Sequence, residues 1–401
     1  MIQQIFHLPN KLIKQIEKSE KPLKYQLKIE SSTRIIKEKC RFNLIDIELT
    51  KIEDISKTIL KQYNKAIIIG IGGAILSSRA FTASQNYTSN NFSLIYSDSL
   101  VPQKQASIFT KKNLQTAAII IISRSGNSIE TLSQTYAAIN KYRQYFGEDY
   151  PLGKHFFIIT KESNGLSKIG HDIKAQMIEY TSSSGKFASF SAVGLLPARL
   201  IGLDLREIIL GGQTILANPC DAIKAATINY YLLKQGYSIN VMSYYNDLFD
   251  QLSLWHSQIA SEIVAKQGKG FTPLVARGIF DQHGLWQMLL AGQHDKYFTF
   301  LCNQDNYQDN QLNTNIETTY HQLTLKRLKR QNMPARELII DSINSKNLGA
   351  LTMTFLLELT CLANLLNISP LTQPFIDQNK KLMKQLITKE YLEFETKTLM
   401  T

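Results

Sequence analysis

The sequence has little of what marks a cross-linked or metal-folded protein. Its four cysteines, Cys40, Cys220, Cys302 and Cys361, lie far apart, with no CxxC pair and no local His/Cys cluster. That spacing argues against a disulfide framework and against a structural zinc site, and no metal or redox cofactor is expected. Low-complexity tracts and short-period repeats are absent. No apolar leader opens the chain, because Met1-Ile2-Gln3-Gln4 runs into a lysine-rich stretch. The longest apolar segment, Leu348 to Leu366, is broken by Glu358 and Asn364 and reads as a buried helix rather than a membrane span. These absences predict a soluble, cytoplasmic protein. Acidic residues are also short, 33 against 45 Lys+Arg, for a net charge of +12. Such a surplus suits nucleic acid, an acidic membrane surface or an anionic small substrate. Much of it falls on Lys11, Lys14, Lys18, Lys21, Lys24 and Lys28, whose near-helical spacing reads as one solvated helix face. No nucleic-acid motif accompanies them, so neither nucleic acid nor membrane is expected as a partner.

What is present is ordinary globular composition, 44% hydrophobic and 19% charged. A chain of 401 residues has room for two or three domains. β-Branched apolar runs at Lys65–Gly70, Phe92–Ser97, Ala117–Ser123, Phe156–Thr160 and Gln176–Tyr180 alternate with helical patterns such as Ile129–Tyr142. That order predicts a doubly wound parallel α/β sheet. A second series follows Gly236, with strands at Ser238–Tyr244, Tyr297–Leu301 and Glu337–Ile340 and a helix over Leu248–Val264. The pair Gly211-Gly212 and Pro219 suggest a boundary near residues 203–222. The expected organisation is a helical segment over 1–50, α/β domains over 51–205 and 206–375, and a closing helix over 376–401.

The clearest ligand site is Ser123-Arg124-Ser125-Gly126-Asn127-Ser128, between a predicted strand and a predicted helix. Hydroxyls and free backbone N–H groups converge there on the positive end of a helix, as a phosphomonoester requires. The same serines would also serve as plain helix caps. Gly70-Ile71-Gly72-Gly73 follows the first strand, but Ile75 stands where a dinucleotide fingerprint needs its third glycine, and Asp98 is a poor ribose partner. Close approach of a sugar ring is an equal use of Gly72 and Gly73. Glu262, His283 and Lys380 are the acid–base candidates, although a helical Glu, a single His and a solvated Lys are individually ordinary.

Taken together these segments resemble the phosphoglucose isomerase (glucose-6-phosphate isomerase) family, in its short bacterial form with two sugar-isomerase domains. Gly70–Gly73 is similar to the family's glycine turn, and Ser123–Thr131 to its phosphate loop. Ser184–Leu195 resembles the G-G-R-[FY]-S-x-x-S-x-x-G-L signature. Ser261-Glu262, Gly268–Pro273 and Asp281-Gln282-His283 resemble the segment bearing the family's base and histidine. Ser369–Pro374, with Lys380 beyond it, resembles the C-terminal signature.

The resemblance implies that Ser123, Ser125 and Ser128, flanking Arg124, hold a substrate phosphate. It implies that His283 and Lys380 open the sugar ring and that Glu262 shuttles a proton between C2 and C1. Lys186 takes the place of an arginine that stabilises the intermediate, and Gln373 positions the substrate. A homodimer is implied too, because in this family the histidine enters from the neighbouring subunit. The departures are Ala74 for a phosphate-contacting serine, and Lys186, Ser184 and Ala188 within the signature. Lysine keeps the charge but lacks the planar fork. The expected activity is therefore interconversion of glucose 6-phosphate and fructose 6-phosphate. The alternative is a sugar-phosphate-binding protein of the same fold, non-catalytic or with altered specificity.

Overall fold

A computed structural model describes residues 2–18, 22–40, 45–82, 91–304, 312–383 and 385–386. The chain opens with β1 (Ile2–His7), α1 (Asn10–Lys18), α2 (Pro22–Lys39) and α3 (Ile45–Gln62). A βα series follows: β2 (Lys65–Ile69), α4 (Gly73–Thr82), β3 (Ser93–Ser97), α5 (Pro102–Ile108), α6 (Lys111–Thr116), β4 (Ala117–Ser123), α7 (Ile129–Phe146), β5 (Phe156–Thr160), α8 (Gly165–Asp172) and β6 (Gln176–Glu179). Helices α9 (Ala192–Leu200), α10 (Leu205–Ala217) and α11 (Cys220–Lys234) lead to the second series. It comprises β7 (Ile239–Tyr244), α12 (Asp250–Val264), β8 (Thr272–Arg277), α13 (Gly278–Gln282), α14 (Leu285–Ala291), β9 (Lys296–Asn303), α15 (Leu312–Arg330), β10 (Ala335–Ile340) and α16 (Ser345–Leu365). Residues 374–383 are helical, while Lys21 and the tail from residue 387 lie outside the described residues.

The strands form two five-stranded sheets, ordered β3-β2-β4-β5-β6 and β8-β7-β9-β10-β1. The first is wholly parallel, and in the second only β1 runs antiparallel, against β10. The two orders are the same pattern, except that the start of the chain supplies the fifth strand of the second sheet. Residues 1–50 are therefore not the purely helical segment expected, because Ile2–His7 completes a distant sheet.

Period-two alternation explains why the central strands are apolar throughout. Ile67, Ile69, Ile119, Ile121 and Ile158 pack on the outer helices of the first sheet. Their neighbours Ala66, Ile68, Ile120, Ile122 and Ile159 face a central core. Met242, Tyr244, Leu301, Leu338 and Ile340 of the second sheet enter that same core, while Val241, Phe298 and Phe300 pack outward. Parallel strands covered on both faces have no solvated side to mark with polar residues.

Gly211 and Gly212 do not mark a break. They lie inside α10, where a Cβ on Gly211 would overlap the Lys346 carbonyl of α16 and one on Gly212 would crowd the Phe190 ring. Small residues let the α10 and α16 backbones meet, and Pro219 merely caps α11. The strand β8 was not expected from sequence. It contains Pro273 and sits at the sheet edge, where a missing N–H disrupts no inner ladder. Helix α16 is long and apolar enough to cross a bilayer, yet 89% of its apolar window is buried within the fold.

Candidate active site

In the first sheet the strand order reverses between β2 and β4, so α4 and α7 start side by side over the carboxyl edge. Ligand crevices of open α/β sheets form at such a point. A cleft of about 100 Å³ lies there, lined by Gly73, Ala74, Ser123, Arg124, Ser125 and Ser128 from the first half of the chain. Glu262, Gln373 and Lys380 close it from the second half.

The serine loop is built locally. The Ser123 carbonyl, at the end of β4, accepts a bond from the Thr160 hydroxyl at 2.7 Å. Its own hydroxyl accepts from the Gly126 N–H at 3.2 Å, which draws the loop into a tight turn. Gly126 has φ +61°, and any side chain there would overlap Asn164. Ser128 occupies the N-cap position of α7, yet its hydroxyl accepts no cap hydrogen bond from the helix. It lies 3.5 Å from the Ser125 hydroxyl instead. The capping use allowed by the sequence is thus not made, and both hydroxyls stand at the positive end of an 18-residue helix. Ser128→Ala should weaken binding of a phosphosugar by about 1–3 kcal/mol while a non-phosphorylated sugar inhibitor is unaffected. Isothermal titration of both ligands checks this, and equal weakening would instead reveal a distorted helix start.

Glu262 lies in the last turn of α12 and is only 9% exposed. The Gln258 amide, one turn earlier, donates to its Oε1 at 2.5 Å. Gly73 lies beside that carboxylate, where a Cβ would stand in ordinary contact with Oε1 at 3.8 Å. Gly73 and Gly185 are in backbone contact, and the Ser77 hydroxyl fixes the Gly185 carbonyl at 2.9 Å.

Lys186 is placed differently from the expectation that it faces the intermediate. It is wholly buried and does not line the cleft. Its ammonium donates to the carbonyls of Pro370, Leu371 and Thr372 at 3.3–3.4 Å and lies 4.0 Å from Glu262 Oε2. Burial pulls its pKa down, and the Glu262 carboxylate partly restores it. Lys266 donates to the carbonyls of Ser369 and Thr372 at 2.5 and 2.6 Å, and Lys269 to that of Leu366 at 3.0 Å. Burial, reinforced by repulsion from Lys186, lowers Lys266 to about 8. Three lysines therefore hold the segment that carries Gln373 and Lys380 into the cleft. Lys186→Met should lower the thermal midpoint by an amount equivalent to about 1–3 kcal/mol and raise KM. Lys186→Arg, which keeps a charged donor for those carbonyls, should lose less stability than Lys186→Met. Loss of kcat alone, at unchanged stability and KM, would contradict this positioning role.

Two expected residues stand apart. Gly72, at φ +58°, shapes the turn after β2 without lining the cleft. His283, the residue that ends α13, is exposed and outside the cleft of its own chain. Asp98 is ion-paired with Arg79 and Lys104 at 2.9 and 3.0 Å, which leaves it committed elsewhere. Residues not singled out from sequence complete the cleft: Ile71, Ile122, Thr131, Tyr180 and Gly185. Tyr180 directly follows β6, and burial pushes its hydroxyl pKa up. A position at the carboxyl end of a strand was the available signal for it. Gln258 was likewise signalled only by its spacing of four residues from Glu262.

Two parallel-sheet units and an anion-ready crevice at a topological switch point define the class, an α/β protein built to hold a small phosphorylated ligand. The phosphoglucose isomerase model matches residues 49–251, and the chain belongs to that family. It is 29% identical over 355 residues to a glucose-6-phosphate isomerase of Methanocaldococcus jannaschii, across 82% of this chain and 85% of that protein. The fold superposes on a hypothetical protein of Thermus thermophilus with TM-score 0.78 at 18% identity, covering 96% of this chain and all of the other. It superposes on a glucose-6-phosphate isomerase of Chlamydia trachomatis with TM-score 0.76 at 15% identity, covering 86% and 74% of the two chains.

Proposed function

We propose that this chain interconverts glucose 6-phosphate and fructose 6-phosphate through a cis-enediolate. The observation that carries the reading is the meeting of the serine loop and Glu262, from opposite halves of the chain, in one cleft. Ser123, Ser125 and Ser128 anchor the phosphate, which fixes the sugar's remaining carbons toward α12. The Glu262 carboxylate takes the proton from C2 and returns it to C1. Hydrogen moves as a proton throughout, so the chemistry calls for no redox cofactor. Gln258 orients the carboxylate, and the Lys186 ammonium lies 4.0 Å from its other oxygen. Arg124 supplies a guanidinium to the cleft, steadied by its bond to the Ser183 carbonyl.

Ring opening needs a second acid–base group between the ring oxygen and O1. The reading assigns it to Lys380 together with His283 of the partner subunit, in a homodimer of the cytoplasm. Support for a dimer comes from the surface around His283, where Phe280 is 70% and Met288 44% exposed. Mixing the inactive variants Glu262→Gln and His283→Ala should restore activity, because a mixed dimer has one cleft with both groups intact. No recovery from a demonstrably mixed dimer would sink the shared cleft. The reading as a whole is tested by incubating the purified chain with glucose 6-phosphate and assaying fructose 6-phosphate. Binding without turnover would favour the non-catalytic alternative.

A further inference from the structure

The second sheet repeats the strand order of the first, and its own switch point lies between β7 and β9. A smaller cleft opens there, lined by Tyr245 and Asn246 after β7, Cys302 and Asn303 at the end of β9, and Glu317 and His321 of α15. Beside it the fold assembles a set of ligating atoms that no local spacing announces. Cys302 Sγ is 3.7 Å from His321 Nε2, and that nitrogen is 3.4 Å from Glu337 Oε1. The three ligand atoms lie within 4.8 Å of one another. Bond lengths of a tetrahedral zinc place sulfur and nitrogen about 3.6 Å apart, and nitrogen and oxygen about 3.3 Å apart. The Sγ–Nε2 and Nε2–Oε1 separations are of that size, and because Nδ1 is 4.0 Å from the same sulfur a turn of the imidazole is needed to aim Nε2 at the shared point.

We propose that Cys302, His321 and Glu337 form a divalent metal site, with zinc the preferred ion. Thiolate, imidazole and carboxylate together select zinc over magnesium or calcium. The thiolate and the carboxylate balance the two positive charges of the ion in a buried place, with the Cys302 proton released to solvent. The other oxygen of Glu337 accepts from His7 Nε2 at 2.6 Å, so the carboxylate is braced from behind by the strand the chain's beginning contributes. Glu317, one helical turn before His321, lines the same cleft as Cys302 and His321 and is, with water, the candidate for a fourth ligand. The ion would pin β1, β9, β10 and α15 together, on the sheet opposite the serine loop.

The test uses the full chain, stripped with a chelator and titrated with cobalt(II) as a coloured stand-in for zinc. One equivalent should bind, with the strong visible bands of tetrahedral cobalt and a sulfur-to-cobalt charge-transfer band, and zinc should displace it. Cys302→Ser should abolish the charge-transfer band, whereas Cys220→Ser, at an exposed cysteine elsewhere, should leave it intact. His7→Gln should weaken cobalt binding by about 10–100-fold, as loss of a bracing partner does. His321→Gln should abolish stoichiometric binding and gives an independent readout if Cys302→Ser fails to fold. Absence of stoichiometric cobalt uptake, or a charge-transfer band that survives Cys302→Ser, would overturn the site and leave a buried hydrogen-bonded cluster.

Discussion

Glu262→Gln should lower turnover of glucose 6-phosphate by about 10²–10⁴-fold while phosphosugar binding persists. Among the described residues Glu262 is the sole carboxylate lining the cleft, so no other acidic side chain there is placed to take over the C2 proton. The amide keeps the shape, and its carbonyl still accepts from Gln258, so the end of α12 should stay ordered. Lys186 loses a neighbouring charge but keeps its three carbonyl partners, which limits the effect on the 370–372 segment. The loss should fall on kcat rather than KM, because the base acts on the reacting carbon and not on the phosphate. Steady-state kinetics and titration with a non-reacting sugar phosphate separate the two. Turnover within about threefold of the unmodified enzyme would remove Glu262 from the mechanism.

How much of this was legible in the sequence depends on how far apart the partners are along the chain. The strands Ala117–Ser123 and Phe156–Thr160 end where their apolar runs end, because a parallel strand buried on both faces writes its own boundaries. The serine loop was legible for the same reason, since strand, turn and helix start are adjacent in sequence. The strand Ile2–His7 was not, because it makes sense only against β10, a pairing separated by more than 300 residues. Gly211 looked like a linker residue because the α16 backbone it touches lies far away in the chain. The resemblance pointed to Lys186 but could not reveal its direction, which is set by carbonyls 184–186 positions later. The Cys302–His321–Glu337 grouping was hidden in the same way. Its members lie on β9, α15 and β10, and their brace His7 is 330 residues from Glu337.

Glu358→Gln should destabilise the fold by about 3–5 kcal/mol without touching the cleft. Glu358 sits in the middle of α16, 1% exposed, within the most apolar stretch of the chain. Its two oxygens accept from Arg336 Nη1 and Nη2 at 2.8 and 3.1 Å, a two-pronged pairing that ties α16 to β10. Asn229 of α11 adds a third bond at 2.6 Å. An unpaired carboxylate would be prohibitive there, and so would an unpaired guanidinium, which is why removing one partner costs far more than the pair itself contributes. The amide retains one acceptor but no charge, leaving Arg336 buried among Phe6, Tyr297 and the sheet without its counter-ion. Replacing both residues, as in Arg336→Met with Glu358→Leu, should recover most of the loss, because neither charge then remains to be desolvated. Urea unfolding of the single and double variants measures the coupling. A single variant within about 1 kcal/mol of the parent, or a double variant no better than the single, would show that α16 is held by its apolar contacts and close glycine packing alone.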